Sequence, residues 1–307
     1  MSRALGITRA AVWKSIESLR QDGYEIDSLP NRGYRLHHSP DRLSVGELAW
    51  RLSDGPIGRE LICLDQVDST NSELKRRAAE GAQEGLVVLA DQQTGGRGRL
   101  GRSFSSPEGK GLYLSALLSP ALPPSDVVNL TAWVAVAVCD AIERAAGVRP
   151  GIKWTNDIIL NQKKLCGILT EMSMEAESDT LQYVVAGIGI NVSQDESDFG
   201  DLTSVATSLK LGTGLSVPRA ELAAAVINAL NEMYQDFPRN KAAYLSRYRT
   251  DCLSVGREVR LLRGNHSEPV FAQSVDDDFR LVVRYPDGRL ETVSAGEVSV
   301  RGLLGYI

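Results

Sequence analysis

Gln93-Thr94-Gly95-Gly96-Arg97-Gly98-Arg99-Leu100-Gly101-Arg102 is the most distinctive run in the chain. Glycines at 96, 98 and 101 let backbone N–H groups close around a ligand, and arginines at 97, 99 and 102 add planar, permanently charged donors. Such a loop suits a phosphate or an adenylate, whose charge needs oriented donors rather than a diffuse field. A flexible RGG-like surface or nucleic-acid loop is the competing reading. A Walker A loop is excluded, because Gly-x-x-x-x-Gly-Lys-[Ser/Thr] occurs nowhere.

Four further blocks flank it. Lys153-Trp154-Thr155-Asn156-Asp157 precedes Lys163-Lys164-Leu165-Cys166-Gly167-Ile168-Leu169. A lysine and a carboxylate beside a polyphosphate would form a charge clamp and a seat for a metal. The plainer reading is a hairpin, 158–160 with 167–172, turning at Asn161-Gln162-Lys163; a hairpin is also a rigid way to present Lys164. Asp68-Ser69-Thr70-Asn71 leads into a helical run at 73–79 and, alone, reads as a helix cap. Gly187-Ile188-Gly189-Ile190-Asn191-Val192 follows an apolar strand and fails as a dinucleotide fingerprint, which would need Gly at Val192. It still allows close backbone approach to a ligand, with Asn191 offering amide hydrogen bonds.

Periodicity gives the frame for these motifs. Residues 87–90, 112–118, 158–160, 168–172 and 183–190 read as strands, and 127–146 and 219–237 as helices, the second opened by Pro218. Mixed α/β with a large sheet is the economical architecture. Beyond Val255, short strands at 258–262, 271–275, 281–284 and 290–294 alternate with turns at 263–265, 276–278 and 286–288, the spacing of a small β-barrel.

Residues 1–36 form a different unit. Thr8 reads as an N-cap; Val12, Ile16 and Leu19 then share one helical face, and Gly23 stops the helix. Residues 2–5 look like the tail of a preceding helix, and 24–29 pairs with 33–36 around Pro30-Asn31-Arg32. Helix, turn, helix and basic hairpin is the layout of a partial winged helix-turn-helix. Six basic residues (Arg3, Arg9, Lys14, Arg20, Arg32, Arg35) face four acidic ones (Glu17, Asp22, Glu25, Asp27), giving +2 in a chain that is −5 overall. That local excess is the direction DNA contact needs. Packing or dimerisation alone is the competing reading.

The 307 residues allow roughly two domains, or three if one is small. A 43% hydrophobic share is ordinary globular usage and rules out disorder, collagen and coiled coil. The longest uncharged runs near the middle, 111–125 and 127–139, fall short of the roughly 18 apolar residues of a membrane span. No secretion signal is read at the N-terminus. Cys63, Cys139, Cys166 and Cys252 form no CxxC pair and His37, His38 and His266 no metal spacing, so reduced thiols and no structural zinc are expected.

In this order, DSTN (68–71), QTGGRGRLGR (93–102), KWTND (153–157), KKLCGIL (163–169) and GIGINV (187–192) resemble the biotin–protein ligases, in the bifunctional bacterial form that also represses the biotin operon. The resemblance runs over nearly the whole chain. It implies an α+β protein in three parts: a partial winged helix at 1–40, a catalytic domain at 41–252 and an SH3-like barrel at 253–307. It implies that biotin and MgATP give biotinyl-adenylate, and that the acyl group then passes to a lysine of a carrier domain such as that of acetyl-CoA carboxylase. Carried over by position, Ser69, Thr70 and Gln93 would bind the biotin rings with Asn71 in support. Arg97, Gly98 and Arg99 would fold over the adenylate, and Lys164 would sit beside the biotin carboxylate and the α-phosphate. Lys164 and Arg99 would be catalytic. Arg102, Phe104, Asn156, Asp157 and Asn191 would lie at the nucleotide, and Thr8, Arg9, Lys14 and Arg32 at operator DNA. A cytoplasmic protein, homodimeric when liganded, follows from the same resemblance.

The chain departs from the family pattern at Gly95, often Ala; at Phe104, Trp in the repressor type; and at Thr155, commonly Pro. A lipoate–protein ligase-like enzyme and a DNA-binding biotin sensor without turnover are the alternatives. The GRGRxGR and KWxND blocks argue against the first, and retention of Arg99 and Lys164 against the second.

Overall fold

The computed structural model describes residues 2–30, 32–175, 180–264, 266–294 and 299–302. Asn31 and Asn265, each expected in a turn, lie outside the described residues. The chain separates into two compact units, residues 1–42 and 43–307.

The first unit holds α1 (Ser2–Leu5), α2 (Arg9–Gln21), β1 (Glu25–Leu29) and β2 (Gly33–His38), the strands paired antiparallel. Thr8 caps α2 as its position requires: the side chain accepts from the Ala11 N–H at 3.1 Å. Val12 and Ile16 are the buried residues of α2. Arg20 ties helix to hairpin, donating from Nε to the Ile26 carbonyl at 2.9 Å and from Nη1 to Glu17 at 2.6 Å.

In the second unit the chain runs α3 (Val45–Ala49), β3 (Glu60–Val67), α4 (Thr70–Ala79), β4 (Leu86–Gln93) and β5 (Gly111–Leu118). It continues through α5 (Pro124–Val127), α6 (Leu130–Ala146), β6 (Gly151–Lys153), β7 (Asp157–Leu160), β8 (Lys163–Met174) and β9 (Leu181–Asn191). Then come α7 (Glu196–Phe199), α8 (Leu209–Thr213), α9 (Arg219–Asp236) and α10 (Lys241–Asp251). Last are β10 (Arg257–Arg263), β11 (His266–Val275), β12 (Leu281–Arg284), β13 (Leu290–Val293) and β14 (Ser299–Gly302).

A seven-stranded mixed sheet, β3-β4-β5-β9-β8-β7-β6, organises this unit, with β3–β4 its one parallel pair. Strand alternation gives each face its own core. Val87, Leu89, Leu112, Leu114 and Ala116 join α6 and α9 in the large core. Leu86, Val88, Leu117 and Val185 pack on Leu74 of α4 on the other face. Ser115 therefore shares the α4 face with Leu117, and that face carries the site. The β7–β8 turn is Asn161-Gln162, both at positive φ (49° and 64°), the backbone of a tight hairpin turn.

Residues 124–146 differ from expectation. A stretch within them is long and apolar enough to cross a membrane by length and composition, because it takes in only one acidic residue near each end. This helix is instead the spine of the large core: Trp133 stacks on Tyr244 at 4.2 Å and meets Phe237 edge-on at 5.1 Å.

The C-terminal sheet has the order β13-β12-β11-β10-β14, antiparallel throughout. Residues 253–307, expected as a separate domain, fall within the second unit, and their described apolar side chains Val259, Leu261, Leu281 and Val283 belong to the same core. Trp154 Nε1 donates to the Phe279 carbonyl at 2.9 Å across that junction. The Trp154–Thr155 peptide is cis.

Candidate active site

Two cavities open beside the carboxyl end of β4. The first, about 400 Å³ with the space open to solvent included, is lined by Ser69, Thr70, Asn71, Gln93 and Arg97, by Phe104, and by segments 167–169 and 187–189. The second, about 740 Å³ on the same footing, is lined among others by Arg102, Phe104, Lys164, Asn191, Gln194, Asp198 and Phe199. Phe104 belongs to both walls.

Ser69 occupies the N-cap position of α4, yet its side chain makes no capping hydrogen bond. The helix-cap reading of this block therefore fails for the hydroxyl, which is left at the cleft. Asp68 holds the turn instead: its carboxylate accepts from the Ser69 N–H at 2.8 Å and pairs with Arg76 at 2.7 Å. The Arg76 hydrogen bond is the main reason that the Asp68 carboxyl sits low, at about 2.

Gln93 is locked at both ends of its amide. Its Oε1 accepts from the Thr70 N–H at 2.9 Å, and its Nε2 donates to Ser106 Oγ at 2.8 Å. Asn71 supports from behind: Nδ2 donates to Glu171 at 2.8 Å and to the Leu169 carbonyl at 3.2 Å. Glycines 187 and 189 supply the depth, since a Cβ at 187 would lie 2.1 Å from Asn71 Oδ1 and one at 189 would lie 2.7 Å from the Phe104 ring.

The arginine-rich loop is pinched at its base by an Arg97–Ser103 bridge and a Gly98 N–H bond to the Arg102 carbonyl at 2.7 Å. Leu100 at its tip is 71% exposed with φ 56°. Arg97 reaches over the first cleft and donates to Ser72 Oγ at 2.5 Å. Arg99 turns the other way and donates to Asn156 Oδ1 at 3.1 Å. Burial pushes the Arg99 guanidinium below its ordinary value, with Asp157 opposing and Arg102 reinforcing that effect.

Lys164 pairs with Asp157 at 2.7 Å. Its backbone is held on both sides, N–H to the Val205 carbonyl at 2.8 Å and carbonyl from the Thr207 N–H at 2.9 Å. Lys164 lines the second cavity, but its ammonium also reaches the rim of the first. A Cβ on Gly167, in the wall of the first cleft, would lie 3.3 Å from Lys164 Nζ and 3.5 Å from Phe104 Cε2. The lysine thus stands where the two cavities meet.

The structure gathers Ser69, Thr70, Asn71, Gln93 and Arg97 around one cleft, and Arg102, Phe104, Lys164 and Asn191 around the other. Gly98, Arg99, Asn156 and Asp157 line neither; the last three act through their partners. Asn191 already uses both amide ends, donating to the Thr207 carbonyl at 3.0 Å and accepting from Gln194 Nε2 at 3.2 Å. Sequence reasoning missed Ser106, Ser115, Glu171 and Gln194. Ser115 had one readable signal, as the only hydroxyl besides Tyr113 in the apolar run 111–118.

The sequence profile of the biotin/lipoate A/B protein ligase family matches residues 63–191, and that of an HTH domain matches residues 1–35. The chain is 38% identical over 297 residues to the bifunctional ligase/repressor BirA of Bacillus subtilis (strain 168), spanning 96% of this chain and 91% of that protein. It is 29% identical over 302 residues to the bifunctional ligase/repressor BirA of Escherichia coli (strain K12), spanning 98% and 91%. Among solved structures, a biotin protein ligase from Aquifex aeolicus in complex with biotin and ATP superimposes with a TM-score of 0.68 at 31% identity, covering 80% of this chain and 99% of that one.

Proposed function

Since the chain belongs to the biotin–protein ligases, in the bifunctional ligase/repressor branch, we propose that it activates biotin with MgATP and passes the biotinyl group to a lysine of a carrier domain, such as that of acetyl-CoA carboxylase. The carrying observation is Lys164 at the junction of the two cavities. With the biotin rings in the first cleft and the nucleotide in the second, carboxylate and α-phosphate meet at that ammonium.

A biotin carboxylate oxygen attacks the α-phosphorus, the bond to the β-phosphate oxygen breaks, and pyrophosphate leaves. Negative charge grows on the α-phosphoryl oxygens, and the cation of Lys164, aimed by Asp157, stabilises it. Arg99, which lines neither cavity and is held by Asn156, adds its charge only once its loop folds over the adenylate. Arg97 and Gly98 close the loop over the acyl-phosphate, while Arg102, Phe104 and Asn191 border the nucleotide. The carrier amine then attacks the acyl carbon, AMP leaves, and one proton is released. Among the described residues no group of three or more His, Cys, Asp or Glu could hold a metal by itself, which suits magnesium arriving on the ATP phosphates.

The first unit supplies the repressor half. Thr8, Arg9, Lys14 and Arg32 are all exposed, the cations available to phosphates. The operator reading places a homodimer on a two-fold site in the cytoplasm. The C-terminal sheet is read as an SH3-like barrel that braces the Trp154 segment.

The test is ATP-dependent transfer to a purified biotin acceptor domain, with lipoate in parallel. Biotin transfer supports the reading; lipoate transfer replaces the substrate; biotin binding without transfer converts the protein into a sensor.

A further inference from the structure

Ser115 is fully buried at the centre of β5, on the face turned to α4. Its hydroxyl oxygen lies 2.6 Å from Asn71 Oδ1 and 2.8 Å from Thr70 Oγ1. The orientation of the Asn71 amide is fixed at its other end, where Glu171 and the Leu169 carbonyl are acceptors that only Nδ2 can serve. Oδ1 therefore takes the single proton of Ser115. A hydroxyl that donates to Asn71 can only accept from Thr70.

Among the described residues Thr70 has one other acceptor in reach, Gln93 Oε1 at 3.2 Å, which already accepts its backbone N–H. With either choice the Thr70 proton points into the protein. A ligand atom reaching that oxygen meets lone pairs alone. The direction of the whole chain starts at Glu171. Burial works to raise its pKa, but hydrogen bonds from Lys75, at 2.5 Å, and from Asn71 outweigh burial and hold it below the ordinary glutamate value. It is an acceptor at neutral pH.

We propose that Glu171, acting through Asn71 and Ser115, fixes the direction of the hydrogen bond at Thr70 and so selects ligands whose ring carries N–H donors. A ureido ring satisfies the Thr70 oxygen, whereas a dithiolane leaves it unmet, which gives a protein of the biotin/lipoate family its choice between the two. Glu171 and Ser115 are positioning residues in this scheme. The inference rests on the reading that the first cleft takes the biotin ring.

Calorimetric titration of the full chain with biotin and with a cyclic carbamate analogue, one ureido N–H replaced by ring oxygen, tests it. The native protein is expected to prefer biotin by roughly 10- to 100-fold, the range for an unmet buried partner. Ser115→Ala leaves only the long contact to Gln93 Oε1 to hold the Thr70 proton, lets that proton turn to the ligand, and should narrow that ratio about 10-fold. Glu171→Gln, which leaves no cavity, removes the charged one of the two acceptors that orient Asn71 and should narrow it in the same direction by about threefold. Weakening of both ligands by one factor, with the ratio preserved in both variants, overturns the relay and leaves the biotin site standing. Failure of the native chain to bind either ligand overturns the reading of the cleft itself.

Discussion

Gly187 of β9 and Asn71 of α4 approach so closely that a Cβ on the glycine would stand 2.1 Å from Asn71 Oδ1. Strand and helix are thereby held at a separation only a hydrogen side chain permits, and Asn71 is pressed toward Ser115 and Glu171. Gly187→Ala should displace Asn71 and weaken biotin binding by more than about 10-fold, the scale of one lost buried hydrogen bond. Calorimetry on the variant decides it; native affinity would mean that the helix end yields freely.

Lys164→Ala should remove adenylate synthesis while leaving the fold intact, a loss on the order of 10²- to 10³-fold for one transition-state donor. The lysine is part-exposed and its backbone bonds to Val205 and Thr207 survive the change. Pyrophosphate release measured beside a thermal melt checks both halves. Arg99→Ala, read in the same assay, should shorten retention of the adenylate.

The Asp68–Arg76 pair gives a pH signature. Asp68 sits at about 2 against an ordinary 3.8, so the pair's contribution is present above about pH 4 and is lost as pH falls through about 2. Both side chains are half exposed, which limits the effect to below about 1 kcal/mol. Urea unfolding of the native chain and of Asp68→Asn at pH 7, 4 and 2 should show the two converging at the lowest pH. A gap that persists there removes the pair as its cause.

Lys14 lies on the exposed side of α2, away from Val12 and Ile16. Lys14→Ala should weaken binding to a duplex selected from random sequences in the presence of biotin and ATP, and lower the salt slope by about 1. Mobility shifts across a salt series provide the measurement. Arg20→Ala should behave differently: it unties the hairpin from α2 and lowers the stability of the unit.

Much of this was legible in the sequence, for physical reasons that differ from place to place. Buried strands declare themselves by unbroken apolar runs, so β5 and β9 were read to within a residue or two. Thr8 was readable because an N-cap is a local bond. β3 escaped because it is an edge strand with part-buried and exposed residues and no clean alternation, and α10 because its apolar face is narrow beside Arg247 and Arg249. The motif residues stand out by composition, and the resemblance sorts them between biotin and nucleotide; that Arg97 and Arg99 of one loop reach different partners, Ser72 and Asn156, is not legible in the sequence. Glu171 carries no local signal of its own, and Ser115 only a hydroxyl in an apolar run; their meaning arises only when strands far apart in the chain lie side by side.

Phe104 forms one wall of each cavity, packed against Gly189 and edge-on to Tyr113 at 6.4 Å. A partition has two sides and a single position. Any shift of the ring that one guest induces is inherited by the other, so the two affinities are thermodynamically linked. Whatever factor the vitamin confers on nucleotide binding, the nucleotide must return to the vitamin in equal measure.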